Sequence, residues 1–378
     1  MPDLSAVPIV DHHCHSLLRL AAPLTAVDYP RFFTESGEAE IRARHAASTI
    51  FFRWDVKELA AHFGCAATTE AVVAARAAVP SEILAARMLD DAGLTTLLLD
   101  NGYQSSDTLT PDELGKSIRQ RIGPILRLET LAQELIVRHE TFDAMLDAYD
   151  ATVRSARDRG YVGLKSIIAY RTGLEVQVTP REAAVAAFAD AKERARRDGR
   201  LRLAVKPLND YLLVHALDLA ARDGMPVQIH TGFGDDELDL RGANPLHLRP
   251  VITNARYARV PFCLLHAGYP YTRALSYLAA VHANVYMDVG LAVPFLATNI
   301  PVVFREAFSL APTSKLLFST DAYSIPEIFW LAARWGRWGL GVVLDEMIAL
   351  GALRAAEAME IARDVLGRNA ERVYGLRE

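Results

Sequence analysis

The sequence predicts an α/β fold, a closed (β/α)₈ barrel of the TIM type. Three observations predict it. Eight short apolar runs rich in β-branched residues recur along the chain, and helical patterns separate them. No early glycine-rich phosphate turn marks a doubly wound open sheet.

The runs are Val7–Val10, Thr95–Leu99, Pro124–Leu128, Tyr161–Ile168, Pro226–Ile229, Pro261–Leu265, Asn284–Val289 and Lys315–Ser319. They are continuously hydrophobic rather than alternating, as expected of strands buried on both faces of a parallel sheet. Helical patterns fill the intervals, for example at Arg181–Arg197, Pro207–Arg222, Tyr271–Ala280 and Ile325–Trp338. Two helices, not one, separate the fourth and fifth runs.

A barrel takes ~250 residues, and the chain has 378. The excess falls mainly in two places. A helical insertion at about 17–93 follows the first run, with helical patterns near Glu38–Ala47, Asp55–Phe63 and Thr69–Val79. It is expected to cap the barrel mouth. A helical segment from Leu344 to Arg372 should pack on the outside of the barrel. Residues 1–378 are read as one domain.

Composition excludes several classes. Hydrophobic residues make up 51% and charged residues 23%, ordinary for a soluble globular chain and too apolar for disorder. The net charge of −5, with no long basic run, argues against a nucleic-acid binder. Three cysteines without a C-x-x-C pair fit a reduced, cytoplasmic protein. The N-terminus lacks the features of a signal peptide. No apolar run reaches ~18 residues, so no membrane partner is expected. A small-molecule substrate and a homo-oligomer are the expected partners.

Barrel chemistry sits at strand ends. The first run leads into Asp11-His12-His13-Cys14-His15. Strand alternation would place Asp11, His13 and His15 on one face and turn Cys14 away as packing. Two histidines two apart can chelate one ion, although a histidine-rich loop reads the same way. The later runs end in His230, His266 and Asp321. Neutral histidine and ionised aspartate are common ligands for divalent metals. Four such placements at one barrel end are hard to explain as packing. Zinc is the first choice, as one ion or two, with Mn, Fe or Ni compatible.

Lys165 lies within the fourth run, where a buried lysine is costly. Three readings fit it. It is carboxylated to a carbamate that bridges metals, it pairs with Asp321 or Glu129, or it snorkels to the mouth.

Together these motifs resemble the amidohydrolase superfamily, in particular its amidohydrolase-2 branch. His13, His15, Lys165, His230, His266 and Asp321 appear in the family's order. The stretches Gly163–Gly173, Gln228–Asp235 and Leu264–Arg273 resemble the amidohydrolase domain at the N-terminus of fungal FluG and nodulin/glutamine synthetase-like fusions. The tail Asn369–Gly375 looks like the branch's closing helix. The resemblance implies a metal-dependent hydrolase that cleaves a C–N amide bond with a metal-activated hydroxide. A γ-glutamyl or other small amide would be the substrate. His13, His15 and Asp321 would hold one metal and His230 and His266 a second. N6-carboxylysine at Lys165 would bridge them, and Asp321 would be the catalytic proton carrier. Relatives in the branch instead hold one zinc and decarboxylate aromatic or semialdehyde acids. A non-catalytic regulatory barrel is a third reading.

Candidate substrate contacts are Arg127, Glu129, Tyr170, Arg171, Asp235, Tyr269 and Arg273, each at or past a strand end. Arg127 or Arg171 could clamp a carboxylate. Equally, these arginines could hold loops by pairing with Glu129, Asp235 or Asp100. The aromatic residues around Phe52 and Trp54 fit either a lid or an ordinary helix–barrel contact.

Overall fold

A computed structural model describes residues 1–378 except 21, 101, 103–106 and 377–378. Eight parallel strands form one sheet in chain order: β1 (Ile9–Cys14), β2 (Leu94–Asp100), β3 (Arg121–Arg127), β4 (Gly163–Ser166), β5 (Val227–Ile229), β6 (Phe262–Leu264), β7 (Val285–Asp288) and β8 (Leu316–Leu317). Backbone bonds from His12 N to Phe318 O and from Asp321 N to His13 O close the ring between β1 and the segment after β8. The fold is the predicted (β/α)₈ barrel. Two helices, Arg181–Asp198 and Lys206–Asp223, separate β4 from β5.

The insertion between β1 and β2 carries helices Ile50–Phe63, Thr69–Ala77 and Ser81–Asp91. Thr49 caps the first through its side chain, and Gly64 ends it in a left-handed turn at φ 67°. The segment expected as helical near Glu38–Ala47 is helical, as a π-helix, Ile41–His45, that runs into a 3-10 helix, Ala46–Ser48. Phe51 and Trp54 pack on Trp335 of the helix Pro326–Ala349, with the Trp54 and Trp335 rings stacked at 4.3 Å. They anchor the insertion to the barrel wall and do not line the mouth.

The end of the chain departs from expectation. It does not simply lie against the outside of the barrel. The helix Asn369–Tyr374 seals the barrel's lower end, where the strands begin. Asn369 donates to the carbonyls of Thr313 and Leu316, and Arg121 donates to Leu376 O. Tyr374 enters the barrel and packs with Val10, Leu98, Ile125, Cys263 and Leu317. Gly163 makes room for it, because a Cβ there would meet the Tyr374 ring at 3.1 Å. None of the described helices is long and apolar enough to cross a membrane.

Candidate metal centre

The upper ends of the strands surround a cavity of about 510 Å³. His13, His15, Lys165, His230, His266 and Asp321 all line it. β1 carries His13 on its final turn of chain. A register shift between Asp11 and Cys14 breaks the simple alternation there. Asp11 consequently does not share the face of His13. It accepts hydrogen bonds from the Thr320 amide and hydroxyl, tying β1 to the segment after β8. Cys14 is buried beside Leu98, as packing requires.

His266 and Asp321 both hold left-handed backbone, at φ 68° and 49°. That conformation is uncommon outside glycine and is found where surrounding structure enforces it. Here the Asp288 carboxylate accepts from His266 N at 2.6 Å, and the His13 carbonyl accepts from Asp321 N at 3.0 Å.

The ligand atoms of His13, His266 and Asp321 lie within 4.8 Å of one another. So do those of His13, His15 and Asp100. Asp321 Oδ1 stands 3.0 Å from His13 Nε2 and 3.3 Å from His15 Nε2. Despite this closeness, Asp321 Oδ1 and His266 Nδ1 are buried without an aligned hydrogen-bond partner among the described residues. Groups that crowd together without bonding one another fit a shared cation.

The electrostatics agree with that fit. Burial holds His13 down at about 3 and His266 at about 4, and it pushes His230 well below its ordinary value. All three imidazoles are therefore neutral at pH 7, the form that ligates metals. Burial alone would raise Asp321, but His266 and His13 outweigh it and keep the carboxyl well below the usual range. Burial lowers the Lys165 amine to about 8. Its Nζ lies 3.2 Å from His13 Nε2, and it forms no ion pair with Glu129 or Asp321.

His230 stands apart in one respect. Its ring is 4.4 Å from that of His266, yet its Nε2 bonds the Phe233 carbonyl at 3.1 Å.

The expected substrate contacts divide. Arg127, Tyr170, Arg171 and Asp235 line the cavity. Arg127 is locked on Asp100, its Nη2 at 2.6 Å from the carboxylate. This pair holds Asp100 well below its ordinary value against the opposing effect of burial. Glu129, Tyr269 and Arg273 lie outside the cavity. Glu129 is turned behind β4, where it accepts from the Ser166 hydroxyl and the Ile167 amide. Tyr269 packs its ring on Phe233 and accepts from the Phe233 amide. Arg273 is exposed on the next helix and pairs with Glu306.

Sequence reasoning passed over several residues. Asp288 ends β7 and engages His12 Nε2 at 3.1 Å as well as the His266 amide. His12 Nδ1 in turn meets the Tyr374 hydroxyl at 3.0 Å, joining the centre to the barrel floor. Asp288 carries the same signal as Asp321, an acid closing an apolar run. Glu35 reaches the cavity from the insertion and contacts the Tyr323 hydroxyl at 3.4 Å. No pattern in the sequence marks it.

Comparisons with known proteins bear on the family and the fold. The family model for amidohydrolases matches residues 133–376. The chain is 33% identical to FluG of Emericella nidulans over 98% of its own length and 46% of that protein's. It thus spans under half of this curated relative. A solved structure from Lactobacillus casei, named as a metal-dependent hydrolase, is 30% identical with a TM-score of 0.89, covering 100% of this chain and 98% of that one. Uronate isomerase of Thermotoga maritima shares the fold, at 15% identity and a TM-score of 0.67, over 98% and 95% of the two chains. With its barrel, its strand-end histidines and aspartate and this family match, the chain belongs to the amidohydrolase family.

Proposed function

We propose that the protein is a metal-dependent hydrolase that cleaves a C–N amide bond. The observation that carries the reading is the convergence of His13, His15, His266 and Asp321, with Lys165 beside His13, at the base of one cavity. His13, His15, His266 and Asp321 would hold a divalent ion, zinc first, and Lys165 as its carbamate would join them. A bound ion supplies Lewis acidity and makes a water nucleophile available near neutral pH. Asp321, held ionised at the cavity base, would act as the proton carrier, taking a proton from the attacking water and delivering it to the departing nitrogen. The aromatic ring of Tyr170 walls the cavity beside His230 at a ring distance of 4.4 Å.

One observation favours a second reading. His230 Nε2 is engaged by Phe233 O, and the two close ligand groups, which share His13, both leave His230 out. One ion with a free lysine amine would suit a non-oxidative decarboxylase of a small acid. Metal analysis of the purified protein together with an amide panel separates the two. Two ions per chain, and amide hydrolysis lost in Lys165→Ala, support the hydrolase. One ion, carbon dioxide release and indifference to Lys165→Ala overturn it.

A further inference from the structure

Arginine is the residue that best recognises a carboxylate, because its planar fork donates two parallel hydrogen bonds. Four arginines line the cavity, Arg31, Arg42, Arg127 and Arg171. Three are engaged or turned outward. Arg127 donates Nε and Nη2 to Asp100. Arg42 donates Nε to the Ser36 carbonyl, and Arg31 is half-exposed beside Asp28.

Arg171 differs. Its Nε is buried and has no hydrogen-bond partner among the described residues. Glu237 stands 3.8 Å from Nη1. That carboxylate already receives Arg202 at 2.6 Å. The guanidinium is mostly covered, with 15% of its side chain exposed. Its backbone is fixed by a bond from Arg171 N to Ile168 O, in the turn that directly follows the strand of Lys165. A covered guanidinium with an idle donor is costly unless something meets it. Burial first, and then Arg202 and Arg127, lower its proton affinity against the opposing pull of Glu129 and Glu237. Asp235 also interacts with Arg171 and would repel an anion placed on its own side. An anion that meets Arg171 comes from the cavity, which Arg171 and Asp235 both line.

We infer that Arg171 recognises a carboxylate on the substrate, so the amide taken by this cavity carries an anionic group apart from its scissile bond. This rests on the hydrolase reading for the word amide, and on the cavity alone for the carboxylate. The resulting class is a half-amide of a dicarboxylic acid. Arg171 is a specificity residue and takes no part in the proton transfers assigned to Asp321.

Calorimetric titration of the metal-loaded full chain tests this with defined probes. Succinate, glutarate and adipate are compared with propionate, butyrate and valerate. A metal ion meets one carboxylate in every probe, so the gain from the second reports Arg171. The wild type should bind its best dicarboxylate tighter than the matching monocarboxylate by about tenfold or more. In Arg171→Met the ratio should fall to about twofold or less, with Arg171→Lys between, since a lysine keeps the charge but not the fork. On a half-amide, Arg171→Met should raise KM more than it lowers kcat. Thermal midpoint and metal content of both variants control for folding. A ratio unchanged in Arg171→Met, or no preference for dicarboxylates in the wild type, overturns the inference. Should the dicarboxylate preference depend on Arg171 while no amide is hydrolysed, the carboxylate assignment stands and the C–N reading falls.

Discussion

At the lower end of the barrel, Val10, Leu98, Ile125 and Leu317 close around Tyr374, whose hydroxyl bonds Gln228 and His12. At the upper end, His13, His266 and Asp321 crowd together with polar atoms left unbonded. The same strands build both ends. What differs is how many polar groups each end gathers. The floor is largely apolar, with few polar groups, Gln228 Oε1 and His12 Nε2 among them also without an aligned hydrogen-bond partner among the described residues, and its packing holds the barrel shut. The mouth gathers histidines and carboxylates around a cavity and is open to a ligand. Catalytic potential in this fold is thus a local crowding of polar groups, tolerated because the other end is well packed.

The largest expected effect tests the mouth. Asp321→Asn should lower turnover by about 10²- to 10⁴-fold, while the unfolding midpoint in denaturant stays near the wild-type value. A variant that unfolds instead would show that Asp321 is a structural member after all. The floor should behave in the opposite way. Tyr374→Ala should cost about 3–5 kcal/mol of stability, the usual range for emptying a buried aromatic site. Chemical denaturation measures it, and metal content at low temperature should remain unchanged. Lost metal in a folded Tyr374→Ala protein would erase the distinction between the two ends, because the path through His12 and Asp288 would then carry function.

Gly163→Ala presses on the same plug from the strand side. The added methyl meets Ile125 and Tyr374 side chains at 3.1 Å and the Pro226 carbonyl at 3.3 Å. A loss of about 1–3 kcal/mol follows from overpacking. A neutral or stabilised variant would mean that Tyr374 yields easily and that the floor is looser than it looks.

The smallest effect concerns the rim. Glu35 is pushed up from 4.5 to about 8, first by burial and then by the charges of Asp321 and Asp235. Its protonated form is favoured in the folded state. Its contribution is full below pH 4.5 and is lost as pH rises through about 8. Glu35→Gln should flatten that decline, seen as a smaller drop in thermal midpoint between pH 5 and pH 9. The side chain is partly exposed, so solvent keeps the change small. An identical pH profile in the variant would remove Glu35 from the account.

Much of the barrel was legible because buried parallel strands must be apolar throughout, and such runs are rare elsewhere. Each of the eight strands overlaps its predicted run. The strand-end ligands were legible for the same reason, since a histidine or aspartate stands out after an apolar run. Three things were not. The shift in β1 that diverts Asp11 depends on pairing with β2, not on its own residues. The fates of Glu129, Tyr269 and Arg273 depend on which way a helix or loop turns after its strand, which residue spacing does not record. The place of Glu35 depends on an irregular segment without periodicity.

The contact between His12 and Tyr374 joins positions 362 apart. A ribosome has therefore made every strand of this barrel before it makes the side chain that seals it. Until Tyr374 emerges, Val10, Leu98, Ile125 and Leu317 lack the ring that packs among them. The helix that carries it is the stopper that closes the barrel beneath His13, His266 and Asp321.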